Sequence, residues 1–290
     1  MRATKWKIAL VVASLAMSMS ACGEDKADEG VADVDKNVSF DEGTTMAKLH
    51  DAGKITIGTK FDQPLFGLKG PDGTPEGFDV EMGKIVAAKL GIDAGDIKWV
   101  ATPSEIRETS IEDGRVDIVI ATYTINDERK QLVDFAGPYF NAGQMLMVTE
   151  DNDDINGPDD LKGKTVCSAR GSTPAQNMAD NYPEVKLELP AEYSDCLEPL
   201  RNGQVDALTT DNVILSGYVA QNEGDFKLVG DPFTEEPYGI GLKKGDDEFR
   251  DFINDVIEES FDNGEWEKAW NKTAGTVLDM PADFPKVDRY

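Results

Sequence analysis

The side chain with the clearest chemical use is Arg129, within GRVDIVIATYTINDERKQLVDFAGPYF at residues 114–140. Asn126 is a good N-cap, and Asp127 and Glu128 are acids in the first turn, where a helix dipole favours them. A capping box would put Glu or Gln at the third helical position. Arg129 stands there instead, a cation at the positive end of a helix. The placement makes sense if an anion lies between the guanidinium and the backbone N–H groups of the helix start. Pairing with a nearby Asp or Glu is the plainer alternative, and the local pattern leaves both open. Metal chemistry is poorly supported: His50 is the single histidine and no Cys or His residues cluster, so no metal site and no cofactor are expected.

The elements that would position such groups alternate along the chain. Strands are predicted at 54–59, 97–100 and 116–121, with helices at 80–90 and 103–112. Helix 80–90 reads as amphipathic, with Met82, Ile85, Val86 and Leu90 on one side. The order then returns: strands at 164–168, 185–189 and 206–210, helices at 174–181, 194–201 and 212–221. Alternation of this kind implies an α/β fold with parallel sheets flanked by helices. There is an internal echo, Gly114-Arg115-Val116-Asp117 and Gly203-Gln204-Val205-Asp206. Each strand so opened ends in polar groups, Thr122 and Thr124 in one half, Thr210 and Asp211 in the other. Ligands of open α/β sheets bind beyond the carboxyl ends of strands, so two such ends can face one cleft. Extended crossings at 144–149 and 236–242, then helices at 246–263 and 265–270, complete a two-lobed plan. Lobe one takes residues 46–143 and 237–290, and lobe two takes 144–236.

The N-terminus and the charge set the compartment. Arg2, Lys5 and Lys7 precede an apolar run too short for a transmembrane helix, and Met19-Ser20-Ala21-Cys22 follows. Residues 1–21 read as a signal peptide and Cys22 as the lipid-bearing residue of a lipobox. Residues 22–45, acidic and poor in aromatics, read as a flexible tether. Net charge is −27, and loss of residues 1–21 removes three basic residues and no acid, leaving −30. A nucleic-acid partner is thereby disfavoured, since phosphates need a basic face. Cys167 and Cys196 remain after Cys22; in an exported protein they predict a disulfide, two buried thiols being the alternative.

The stretch from Thr122 onward, TYTINDERKQLVDFAGPYF, closely resembles the signature of family 3 solute-binding proteins, the polar amino-acid receptors of ABC importers. TPEGFDVEMGKIVAAKLG, DLKGKTVCSARGSTPAQNM and EPYGIGLKKGDDEFRDFINDVIEESFDNGEWEKAW fit in order, so the likeness spans roughly residues 54–270. It implies a type II periplasmic-binding-protein fold, two lobes joined by a two-strand hinge. It implies no enzyme activity, a free amino acid as ligand, a permease with its ATPase as partner, and a monomer exported and tethered to the outer face of the cell membrane by lipid alone.

By the same resemblance, Arg129 clamps the ligand α-carboxylate with Thr124, Ser172 and Thr173. Asp211 takes the α-ammonium with Thr122. Asp211 and Thr173 would also serve as helix N-caps. Lys60 and Arg107 resemble the basic groups of glutamate/aspartate receptors, and the chain is most like glutamate-binding lipoproteins of actinobacterial importers. A second ligand carboxylate would explain both cations, with Arg170 as a weaker third. Otherwise they are surface residues pairing with Glu105, Glu108 or Asp62. Receptors for glutamine, asparagine or another polar amino acid, a ligand sensor, and a dehydratase-like enzyme are the alternatives.

Overall fold

The computed structural model describes residues 31–290. Two five-stranded sheets carry the fold, and each has the same internal logic. In the first, Ile55–Thr59 pairs in parallel with Ile97–Ala101 and with Ile118–Val119; Glu236–Leu242 and Asp134–Ala142 then run antiparallel at one edge. In the second, Thr165–Cys167 is parallel to Lys186–Glu188 and Ala207–Asp211, with Gln144–Thr149 and Phe226–Val229 antiparallel beyond. Glu236–Leu242 and Gln144–Thr149 run against the parallel strands because each enters its lobe from the other; Asp134–Ala142 and Phe226–Val229, which lead out of the lobes, run with them. The molecule is thus two-lobed α/β, with helices on the sheet faces. A small sheet of Asp62–Gln63, Gly67–Lys69 and Pro75–Glu76 stands beside the first.

The strand expected over 116–121 pairs only at Ile118–Val119, because the chain turns sharply at Thr122, whose φ is +44°. The helix expected over 103–112 divides into a 3-10 turn, Ser104–Ile106, and an α-helix, Arg107–Glu112. Helix Phe78–Lys89 is not amphipathic. It is buried on all faces, Asp79, Glu81 and Lys84 included, because the sheet lies on one side and the C-terminal helices on the other. Burying Glu81 and Lys84 is tolerated because they pair at 2.9 Å. Phe78 meets Trp266 and Trp270 edge-on at 5.1 and 5.3 Å, and an aromatic core with Phe66, Phe140 and Tyr238 fills this lobe.

The described part of the expected flexible tether and the C-terminal tail both pack on the first lobe. Residues 1–30, with the expected signal peptide and Cys22, lie outside the described residues, but residues 31–44 are laid on the first lobe. The Asp35 N–H donates to the Ala88 carbonyl, and Phe40 packs edge-on against Phe252. The tail after Lys272 straps back: Phe284 stacks on Phe261, and the Tyr290 hydroxyl accepts from the Phe135 N–H at 2.9 Å. Cys167 and Cys196 form the predicted disulfide, Cα–Cα 5.8 Å, tying a strand end to the turn Tyr193–Cys196.

Candidate functional site

The polar strand ends of the two sheets meet between lobes that are closed on one another. Gly171 (φ +75°) shows how tight the closure is: a Cβ there would lie 2.7 Å from the Glu105 Cα in the other lobe. Arg129, 7% exposed, is the hub of this contact. Its Nη1 donates to the Thr124 carbonyl at 2.7 Å and its Nη2 to the Gly171 carbonyl at 3.2 Å, so one guanidinium touches both lobes. Its Nε lies 3.3 Å from Glu108 Oε1. Acid pairing is therefore real, but a guanidinium has five N–H donors and these contacts do not exhaust it. Burial first, then the nearby Arg107 charge, lowers the Arg129 pKa to about 10.

The helix start at Arg129 does not itself offer an anion site. Asn126 does cap, but it does so by accepting the Arg129 N–H itself at 2.9 Å, and the helix is only Arg129–Leu132. The helix start has no free N–H at that position, so any anion-binding role falls to the guanidinium.

Across the cleft, Ser172 rather than Thr173 is the N-cap of Thr173–Asn181; its Oγ accepts from the Ala175 N–H at 3.1 Å. That frees the Thr173 hydroxyl, which lies 3.2 Å from Thr124 Oγ1 and donates to Glu236 Oε2 at 2.6 Å. Asp211 precedes Asn212–Gln221 as N-cap but makes no side-chain cap bond. Its Oδ2 accepts instead from the Tyr238 hydroxyl at 2.6 Å, and its Oδ1 is buried without a hydrogen-bond partner among the described residues. Burial, with Glu236 adding, raises the Asp211 pKa to about 8. Tyr238 also bridges to Thr124, so Asp211, Thr124, Thr173 and Arg129 form one connected group.

Lys60 and Arg107 are both fully buried in the first lobe, at 2% exposure each. The acids that could have paired with them are engaged elsewhere: Glu105 with Arg170, Glu108 with Arg129, and Asp62 with backbone N–H groups of the second lobe. Lys60 donates to Ser104 Oγ at 2.8 Å, and its ammonium faces the Tyr193 ring of the second lobe at 5.7 Å. Arg107 donates to the Ala121 carbonyl at 3.0 Å and stacks on Tyr123 at 4.2 Å, while its Nε has no hydrogen-bond partner among the described residues. Burial, then Arg107, lowers the Lys60 pKa to about 7. Two interior cations with neutral partners are costly by themselves. Arg170 is not with them; it is a rim residue, its side chain 58% exposed. Arg170 lines an outer groove of about 430 Å³ with Arg129, Glu108 and Thr173, which Lys60, Arg107 and Asp211 do not line.

Sequence reasoning missed the residues that hold Thr122 in place. Thr122 does not reach Asp211 through any hydrogen bond; its N–H donates to Asp79 Oδ2 at 2.7 Å and its hydroxyl to Gln63 Oε1 at 3.0 Å. Tyr139 donates to the other Asp79 oxygen at 2.6 Å. Burial raises the Asp79 pKa to about 7. Asp79 was visible only as an acid at a helix start, where a surface role is the ordinary expectation. The Gln63 amide nitrogen is buried without a hydrogen-bond partner among the described residues.

Comparison with known proteins matches residues 55–276 to the Bacterial extracellular solute-binding proteins, family 3. The chain is 40% identical to the glutamate-binding protein GluB of Corynebacterium efficiens over 269 residues, covering 89% of this chain and 86% of that protein. It is 39% identical to the glutamine-binding protein of Geobacillus stearothermophilus over 250 residues, covering 84% and 95%. Among solved structures it is similar to an ancestral arginine-binding protein bound to glutamine, with a TM-score of 0.72 and 37% identity, covering 76% of this chain and 97% of that one.

Proposed function

This chain belongs to the bacterial extracellular solute-binding proteins, family 3, and from that membership we propose that it captures free glutamate between its lobes for delivery to an ABC permease and its ATPase. It is a receptor and not an enzyme, in keeping with relatives that are named as glutamate- and glutamine-binding proteins. In this reading Arg129, Thr124, Ser172 and Thr173 receive the α-carboxylate, and Asp211 with Thr122 receives the α-ammonium. The ammonium gives Asp211 the partner that its unpaired oxygen lacks and restores its ionised state.

The observation that carries the choice of glutamate is the pair of interior cations. Lys60 and Arg107 are buried beside each other with only neutral hydrogen-bond partners. A second ligand carboxylate lies between both cations, offsets one of their two charges and raises the Lys60 pKa toward its ordinary value. Charge-assisted hydrogen bonds net about 1.5–3 kcal/mol each. Micromolar binding needs about 8 kcal/mol, which four charged side chains supply after the costs of ordering. The neutral side chain of glutamine would leave both buried cations without an anionic partner.

Anchoring completes the proposal. Lipid on Cys22 holds the protein to the outer face of the membrane as a monomer; among the described residues no helix is long and apolar enough to cross a membrane.

Calorimetric titration of the mature protein with glutamate, aspartate, glutamine and asparagine tests this reading. Glutamate is expected to bind at least about tenfold tighter than glutamine. Equal affinities would overturn the acidic ligand, and no binding by any of the four would overturn the receptor reading for polar amino acids.

A further inference from the structure

We propose that Asp62 is the clasp of the closed molecule: a first-lobe carboxylate that caps a second-lobe helix and so sets how long the cleft stays shut. The proposal rests on the reading that the cleft holds an amino acid. Asp62 stands two residues after Lys60 and is 8% exposed. Its Oδ2 accepts from the backbone N–H of Tyr193 at 3.1 Å and of Ser194 at 3.4 Å. The Tyr218 hydroxyl donates to the Asp62 main-chain oxygen at 3.0 Å and lies 3.3 Å from Oδ2. All these partners belong to the second lobe, and Asp62 makes no ion pair among the described residues.

The second lobe needs this acceptor. Tyr193–Cys196 is the first turn of a helical stretch that continues as Leu197–Arg201. The opening N–H groups of any helix lack partners within it. The N-cap here is Glu192, which makes no side-chain cap bond. Asp62 takes its place from across the cleft. The same edge is packed for contact: a Cβ on Gly217 would come 2.8 Å from the Pro64 carbonyl oxygen.

Opening the lobes separates Asp62 from every one of these donors. The clasp therefore favours the closed form whatever lies inside it, and apparent affinity scales with the closed fraction. Lys60 and Asp62, two residues apart, then divide the work: the first discriminates between ligands and the second holds all of them equally.

The test is Asp62→Asn, which keeps the shape and removes the charge, beside Gly217→Ala, which disturbs the same edge without touching an acid. L-glutamate and L-glutamine are the probes, with affinity read by calorimetry and release by stopped-flow fluorescence. Asp62→Asn should weaken both ligands by one common factor of about tenfold, carried mainly by faster release. Gly217→Ala should shift both in the same direction. A loss confined to glutamate would overturn the clasp and make Asp62 part of the side-chain subsite. Unchanged release in both variants would overturn it outright. If the wild-type protein prefers glutamine, the glutamate reading falls, and the clasp is still judged on the common factor.

Discussion

The two ends of the interlobe cleft handle charge in opposite ways. Around Arg129 the charged groups make contacts that cross between lobes: Arg129 to the Gly171 carbonyl, and the Tyr238 hydroxyl to Asp211. Around Lys60 and Arg107 the hydrogen bonds stay within the first lobe and go to neutral acceptors, Ser104 and the Ala121 carbonyl. Arg129 has an acid, Glu108, and Arg107 has none among the described residues, although both guanidinium groups lie over the Tyr123 ring, at 5.1 and 4.2 Å. The first end is balanced and sensitive to closure, which suits groups carried by every amino acid. The second is left positive, which suits a group carried by few.

Arg129→Met breaks the comparison most severely. Loss of a bidentate partner common to all ligands should reduce every amino-acid affinity by about 100-fold or more in calorimetry. Retained binding would remove Arg129 from the site. Arg107→Met should instead split the ligands, costing glutamate about tenfold while glutamine changes little. A uniform loss would mean that the second end is as general as the first.

Lys60→Met sharpens the contrast through stability. The Lys60 pKa in the folded protein, about 7, lies below its ordinary 10.5. The folded state therefore binds fewer protons than the unfolded chain between those values, and stability is lost as pH falls through about 7. Lys60→Met should raise the melting temperature of the ligand-free protein at acidic pH while it weakens glutamate, and the gain should vanish in alkali. A melting temperature that is lower at every pH would mean that Lys60 stabilises the fold.

The smallest effect on binding is expected from the disulfide. Replacing Cys167 and Cys196 by Ser opens a loop with a sequence separation of 29 and should lower the unfolding free energy by about 3 kcal/mol in denaturant. The glutamate-to-glutamine ratio should not move, because neither end of the cleft loses a charged group.

Much of this architecture was legible along the chain because it is written locally. The two crossing strands and helix Asn212–Gln221 lie where their patterns placed them, and the disulfide formed between the cysteines left after Cys22. Periodicity and turn residues act over a few positions, so one sequence reports them. Capping was harder. Ser172 and Thr173 are both good caps, and only the helix start chose Ser172 and released Thr173 to cross the cleft.

The sequence by itself determined the alternation of strands and helices, the family, and which side chains could bear charge. Only the tertiary structure decided which of those charges keep a partner. Lys60 and Arg107 sit among Asp62, Glu105 and Glu108 in the chain, and any of these could have neutralised them. Closure assigns Asp62 to the Tyr193 and Ser194 backbone and Glu105 to Arg170, and local packing gives Glu108 to Arg129. The reason is physical: a pairing is a contest among all groups within a few ångströms, and folding sets that neighbourhood from segments up to 132 residues apart.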